Sequence, residues 1–200
     1  MMQIHLIRHG KTMANQQKLY CGSTDIPLSE AGVAELANLR EQGIYPIPAS
    51  GSVFFTSGLL RTQQTLDILY GPVKRETLPQ LAEFKFGNFE MHSYEELKNQ
   101  DDYQAWITDE TGAISCPGGE CRQSFTRRVL TGFEILSSQD NDTFAVCHGG
   151  TITCIMEHLF PGIRNFYEWQ PKPGHGYTII YTPGEIKQYE AIGGHSHDKN

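Results

Sequence analysis

The chain contains no run of eighteen apolar residues, so no membrane-crossing helix is expected. The opening stretch, Met1 to Arg8, turns polar too soon for a secretory signal, and a cytoplasmic location is the expectation. Positive charge is scarce: 16 Lys and Arg stand against 23 Asp and Glu, for a formal charge of -7. Without a broad basic field, neither nucleic acid nor an anionic membrane is expected as the main partner. Any anionic ligand must then be captured by a local cluster. The five cysteines (Cys21, Cys116, Cys121, Cys147 and Cys154) are odd in number and include no Cys-x-x-Cys pair, which argues against a zinc ribbon and a disulfide framework. His-Glu-x-x-His and His-x-Asp spacings are lacking too, and His195-Ser196-His197-Asp198 reads as a frayed terminus rather than a cation site. No metal and no cofactor are expected. Repeats, linkers and low-complexity tracts are missing, so residues 1–200 read as one domain. What is present, 38% hydrophobic and 10% aromatic residues, suffices for a continuous core.

The patterning predicts alternating strands and helices. Gln3 to Ile7 and Val53 to Phe55 are short apolar runs that suit buried strands, and Thr77 to Leu81 is a third candidate. Ser29 caps an expected helix over 29–42 that stops at Gly43, and leucines at helical spacing extend a second from Leu59 to Tyr70. Ser93-Tyr94-Glu95-Glu96 has the form of a capping box. Glu120 to Leu136 reads as an amphipathic helix, Thr143 to Cys147 as a strand, and Thr151 to Phe160 as the helix after it. Tyr177 to Tyr181 and Ile186 to Ala191, parted by Pro183-Gly184, form a closing hairpin or edge pair. The expected fold is α/β: a three-layer α/β/α sandwich around a mainly parallel sheet, with an irregular lid insertion at about 84–121.

Ligands of such sheets bind at the carboxyl ends of the strands, where this chain twice places a histidine followed by glycine: Arg8-His9-Gly10 and Cys147-His148-Gly149-Gly150. Glycine permits a tight turn and a close approach of ligand to backbone. The helix starting at Thr151 would turn its positive end toward the site. A third strand end supplies Thr56-Ser57-Gly58, with Arg61 one turn into the next helix. Arg8 and Arg61 could each grip phosphate oxygens with two hydrogen bonds. Taken singly, each histidine also suits a satisfied core position and each arginine a solvated one; their conjunction points to an anion site.

These residues fall into blocks. Leu6-Ile7-Arg8-His9-Gly10-Lys11-Thr12, with Asn15 after it, is followed by Gly22-Ser23-Thr24-Asp25-Ile26-Pro27-Leu28-Ser29-Glu30-Ala31-Gly32. Ser57-Gly58-Leu59-Leu60-Arg61-Thr62-Gln63-Gln64-Thr65 comes next, then Leu81-Ala82-Glu83-Phe84-Lys85-Phe86-Gly87-Asn88-Phe89-Glu90, then Val146-Cys147-His148-Gly149-Gly150. In this order the chain resembles the histidine phosphatase superfamily, also called phosphoglycerate-mutase-like, from first strand to last. Two positions depart from the pattern: Lys11 where the family commonly has Glu, and Cys121 where Ser often follows Gly-Glu.

The resemblance implies His9 as nucleophile, Glu83 as acid and base, and Arg8, Arg61 and His148 around a phosphoryl group. Asn15, Ser57 and Gly149 are candidates for further phosphate or substrate contact, with Asn15 and Ser57 equally suited to turn or cap roles. Burial near Phe84, Phe86 and Phe89 would favour the protonated form of Glu83. The implied activity is metal-independent hydrolysis of a small phosphomonoester through a phosphohistidine. A mutase of the same family is the alternative, against which stand the string after Glu83 and the Pro117-Gly118-Gly119-Glu120 turn, both similar to the small phosphatase branch. A silent phospho-ligand binding module would have no need of Glu83. The expected partner is a small phosphorylated metabolite; the sequence sets neither its identity nor the oligomeric state.

Overall fold

Alternation of side chains along a strand lets each buried strand feed two layers at once. Leu6, Phe55, Ala145 and Cys147 face one hydrophobic core, while Ile7, Phe54, Phe144 and Val146 face a second. The structure is a computed structural model that describes residues 2–182 and 185–194; the expected Pro183-Gly184 turn and the tail cluster at 195–198 lie outside the described residues.

In chain order the elements are β1 (Met2–Arg8), α1 (Met13–Gln17), α2 (Glu30–Glu41), β2 (Val53–Thr56), α3 (Leu60–Tyr70) and β3 (Glu76–Thr77). They continue with α4 (Tyr94–Leu97), α5 (Asp101–Ile107), α6 (Arg122–Ser137), β4 (Thr143–Cys147), α7 (Gly149–Leu159), α8 (Phe166–Trp169), β5 (Gly176–Thr182) and β6 (Glu185–Ile192). One six-stranded sheet runs β3-β2-β4-β1-β5-β6. The pairs β3/β2, β2/β4 and β4/β1 are parallel, whereas β5 and β6 add an antiparallel edge. Leu36 of α2 and Leu66 and Leu69 of α3 cover one face. Phe125, Val129 and Phe133 of α6 and Ile152, Ile155 and Met156 of α7 cover the other, which completes the three layers.

The long helices and strands fall within a few residues of their sequence patterns, but several expectations need correction. The strand expected over 77–81 ends at Thr77, because Pro79 has no N–H for a ladder and instead opens a 3-10 turn over Pro79–Leu81. The helix expected from Glu120 starts at Arg122 with Cys121 as its cap, and the helix expected from Thr151 starts two residues earlier, at Gly149. Segment 84–121 is less irregular than its composition suggests: it holds α4, α5 and a 3-10 turn at Gly87–Phe89. Its rings extend the core on the α6 and α7 side of the sheet, where Tyr103 and Trp106 are buried and Phe89 packs 5.5 and 5.8 Å from them. Tyr94 remains exposed.

Parallel register sets the functional edge. Arg8 pairs with Cys147 and Thr56 with Val146, so β1, β2 and β4 end at one level. His9, Ser57 and His148 therefore leave the sheet side by side.

Candidate active site

His9 and His148 emerge from neighbouring parallel strands, and their rings stand 5.1 Å apart in an edge-on arrangement. Both are buried. The Nδ1 of His9 lies 2.7 Å from the carbonyl of Gly10, which can only accept; Nδ1 therefore carries the proton and Nε2 keeps its lone pair. Burial holds the His9 pKa well below 6.5, Arg61 and Arg8 lower it further, and only the Gly10 bond opposes them. The ring is neutral at ordinary pH. His148 is lowered in the same way, first by burial and then by His9, Arg61, Arg8 and Arg128.

Ser57, a candidate for phosphate contact, lies 2.8 Å from Nε2 of His148 and orients that ring. The other ring nitrogen, Nδ1, is buried without a partner among the described residues, as is Nε of Arg8. Buried polar atoms of this kind mark a place where a ligand completes the hydrogen bonding.

The two arginines are held by backbone carbonyls rather than by carboxylates. Arg61, almost fully buried, donates from Nη2 to Gly22 at 2.7 Å and from Nη1 to Thr24 at 2.9 Å. Arg8 donates from Nη1 to Pro171 at 2.7 Å. Neither forms an ion pair among the described residues, so their charge is left for an anion. Burial lowers the Arg8 pKa and the Glu83 carboxylate opposes that; a guanidinium stays charged through both.

Glu83 reaches the cluster from the loop before segment 84–121. Its Oε1 accepts from its neighbour's N–H (Phe84, 2.9 Å) and its Oε2 from the N–H of Gly150, also at 2.9 Å. The environment is thus two backbone donors, one of them at the positive end of α7, and not the apolar setting expected from Phe84, Phe86 and Phe89, whose rings pack against Trp106. The N–H of Gly150, in the first turn of α7, is thus taken by this carboxylate. The approach demands glycine, since a Cβ on Gly150 would lie 2.5 Å from Oε1 of Glu83. Gly149 fits as closely, its would-be Cβ 3.1 Å from the Arg8 guanidinium. Gly10 is small for another reason: a Cβ there would strike Leu36 at 2.5 Å.

Asn15 takes the cap alternative. Its Oδ1 accepts from the N–H and the hydroxyl of Thr12, both at 3.0 Å, closing a capping box on α1. Lys11 pairs with Glu35 at 2.9 Å, partly exposed, and Cys121 caps α6. Beside the cluster opens a cleft of about 520 Å³, lined by Ser57 and Glu83 and by Leu59, Pro79, Ala82, Lys85 and Arg128. Arg128 was not among the residues picked from the sequence. Nor was the anchoring role of Glu90, whose carboxylate accepts from Ser23 N–H at 2.6 Å, Thr24 N–H at 2.8 Å and the Thr24 hydroxyl. Among the described residues no group of three or more His, Cys, Asp or Glu side chains is placed to hold a metal ion.

Comparison with known proteins supplies the family and the fold. The family model described as histidine phosphatase superfamily (branch 1) matches residues 4–190. An adenosylcobalamin/alpha-ribazole phosphatase of Salmonella typhimurium is 33% identical over 165 residues, 79% of each chain. A 2,3-bisphosphoglycerate-dependent phosphoglycerate mutase of Bradyrhizobium diazoefficiens is 31% identical, over 78% of this chain and 81% of that one. The crystal structure of the alpha-ribazole phosphatase from Shigella flexneri superposes with a TM-score of 0.77 at 27% identity, covering 90% of this chain and 91% of that one.

Proposed function

Because the chain belongs to the histidine phosphatase superfamily, we propose that it hydrolyses a small phosphomonoester through a phosphohistidine at His9. The observation that carries this reading is the His9 ring: Nδ1–H tied to Gly10, Nε2 with no hydrogen bond among the described residues, in the field of two guanidiniums that form no ion pair among those residues. Such a ring can act as a nucleophile at neutral pH, and the cations around it suit a phosphoryl group whose oxygens gain charge in the transition state.

In the first step, with Glu83 protonated beside the negative charge of the bound phosphate, Nε2 of His9 attacks phosphorus in line, the bond to the leaving oxygen breaks, and the Glu83 carboxyl gives its proton to that oxygen. The Gly10 carbonyl accepts from the cationic ring that forms. In the second step Glu83 takes a proton from water, the water oxygen attacks phosphorus, and the P–N bond breaks to restore His9. His148, held by Ser57, and the two arginines bind the equatorial oxygens in both steps. Each such preorganised donor is typically worth about 3 to 4 kcal/mol.

The adjoining cleft, with Leu59, Pro79 and Ala82 beside Gln80 and Lys85, suits an organic group that is part apolar and part polar. Alpha-ribazole phosphate, suggested by the names of the relatives, is the first substrate to try. A mutase reading also has support, in the Bradyrhizobium relative. The distinction is whether water or a second substrate oxygen takes the phosphoryl group from His9.

Purified protein with p-nitrophenyl phosphate in EDTA tests the proposal. Turnover should persist in chelator and fall on the order of 10⁴-fold in His9→Ala. Equal rates for the two proteins would overturn it. Phosphate release from alpha-ribazole phosphate without transfer to added phosphoglycerate would separate phosphatase from mutase.

A further inference from the structure

Glu83 sits on a loop, yet its carboxylate has to meet a leaving oxygen within hydrogen-bond reach. The Thr151 hydroxyl meets the carbonyls of Leu81 and Ala82 at 3.2 and 3.1 Å, and a pair of residues from α6 and its approach ties the loop on both sides of Glu83. Arg128 donates from Nη1 to the carbonyls of Gln80 and Ala82, both at 2.9 Å, and from Nη2 to the carbonyl of Glu83 itself at 3.2 Å. Its charge is met by Glu120, 2.6 Å away, in a half-buried ion pair. Glu120 grips the other side of the loop: Oε1 accepts from Lys85 N–H at 2.9 Å, and its own N–H donates to the Lys85 carbonyl at 3.0 Å. The segment is thus tied immediately before and after Glu83, while neither partner's side chain bonds to the Glu83 carboxylate. Only a guanidinium offers the fan of donors that three carbonyls and a carboxylate require.

We infer that Arg128 and Glu120 form a positioning clamp that aims Glu83 at the leaving oxygen; the inference rests on the phosphohydrolase reading above. A clamp of this kind has a specific signature. A poor leaving group needs its proton in the transition state and a good one does not. Misplacing Glu83 therefore penalises alkyl phosphates selectively in kcat/KM, which reports the phosphorylation step.

The test compares Arg128→Met, Arg128→Lys and Glu120→Gln with wild type and Glu83→Gln, using glycerol 2-phosphate and p-nitrophenyl phosphate. Thermal melts run alongside. The clamp predicts that kcat/KM for glycerol 2-phosphate falls on the order of 30- to 100-fold in Arg128→Met. For p-nitrophenyl phosphate the fall stays within about threefold, the same bias as in Glu83→Gln. Arg128→Lys restores only part of the loss, because an ammonium cannot span three carbonyls. Equal losses on both substrates, a rise in KM shared by both, or no loss on either would overturn the clamp. Should Arg128→Met fail to fold, Arg128→Lys and Glu120→Gln carry the same comparison. Failure of the phosphohydrolase reading shows itself separately, as wild type no faster than His9→Ala, and takes the clamp with it.

Discussion

A single hydrogen bond decides which nitrogen of the His9 ring keeps its lone pair, on which the proposed nucleophilic role depends. The Gly10 carbonyl can only accept, so the proton sits on Nδ1 and the lone pair on Nε2. At the same scale Gly150 couples the helix to Glu83, the proposed acid. Its N–H donates to Glu83, and its missing Cβ leaves room for the carboxylate. Gly150→Ala separates these effects from stability: alanine is about 1 kcal/mol better than glycine inside a helix, while the added methyl would push Glu83 aside. The expected outcome is a melting temperature unchanged or raised, with kcat/KM for an alkyl phosphate down on the order of tenfold or more. A variant as active as wild type would show that Glu83 tolerates displacement.

Loops between elements, rather than the elements themselves, aim the second arginine. The carbonyls of Gly22 and Thr24 hold Arg61, and their loop between α1 and α2 is pinned by Glu90 from 66 residues further along. Burial alone would push the Glu90 carboxyl up. The Thr24 hydroxyl and the N–H groups of Ser23, Thr24 and Gly22 outweigh it and hold the carboxyl below its ordinary range. Glu90→Ala leaves those donors unpaired, which typically costs about 1 to 3 kcal/mol. The loop that orients Arg61 loosens, so inhibition by inorganic phosphate should weaken on the order of tenfold. Unchanged phosphate inhibition, measured with a urea unfolding curve on the same sample, would show that Arg61 keeps its place without the loop.

Across the whole molecule, three buried imidazoles tie stability to pH. Burial is the largest cause of lowering at His5, His9 and His148; Asp142 opposes it at His5, whose pKa falls to about 4. The unfolded chain protonates these rings near pH 6.5, where the folded chain still does not. Unfolding therefore takes up protons below about pH 6.5, and stability, complete above that value, drops as pH falls. The slope is up to about 1.4 kcal/mol per pH unit for each ring. Urea midpoints should fall between pH 7 and pH 5. His5→Asn, remote from the active edge, should remove about a third of that slope. A midpoint flat over this range would contradict the account.

At His5 the sequence showed a strand that suits burial but not the partners of the ring, Thr178 and Phe144, which lie far along the chain. What was legible came from short-range pattern. Apolar runs ended by His-Gly put His9 and His148 at strand ends, and leucine spacing set α3 with Arg61 in its first turn. Glu83 was legible only by resemblance, as no local signal distinguishes it from an exposed carboxylate. The short α1 and α8 were missed although their capping boxes, Thr12 to Asn15 and Asn165 to Glu168, stand in the sequence.

By itself, the sequence determined the strand-helix order, the two histidines and the arginines, because periodicity and turn chemistry act over a few residues. Tertiary structure decided the partners that aim them: Gly150 on Glu83 across 67 positions, Arg128 across 45, Glu120 on Lys85 across 35. Such contacts exist only once the parallel strands fall into register and α6 and α7 pack on one face. Many side chains could meet a given carbonyl, and packing alone selects which one does.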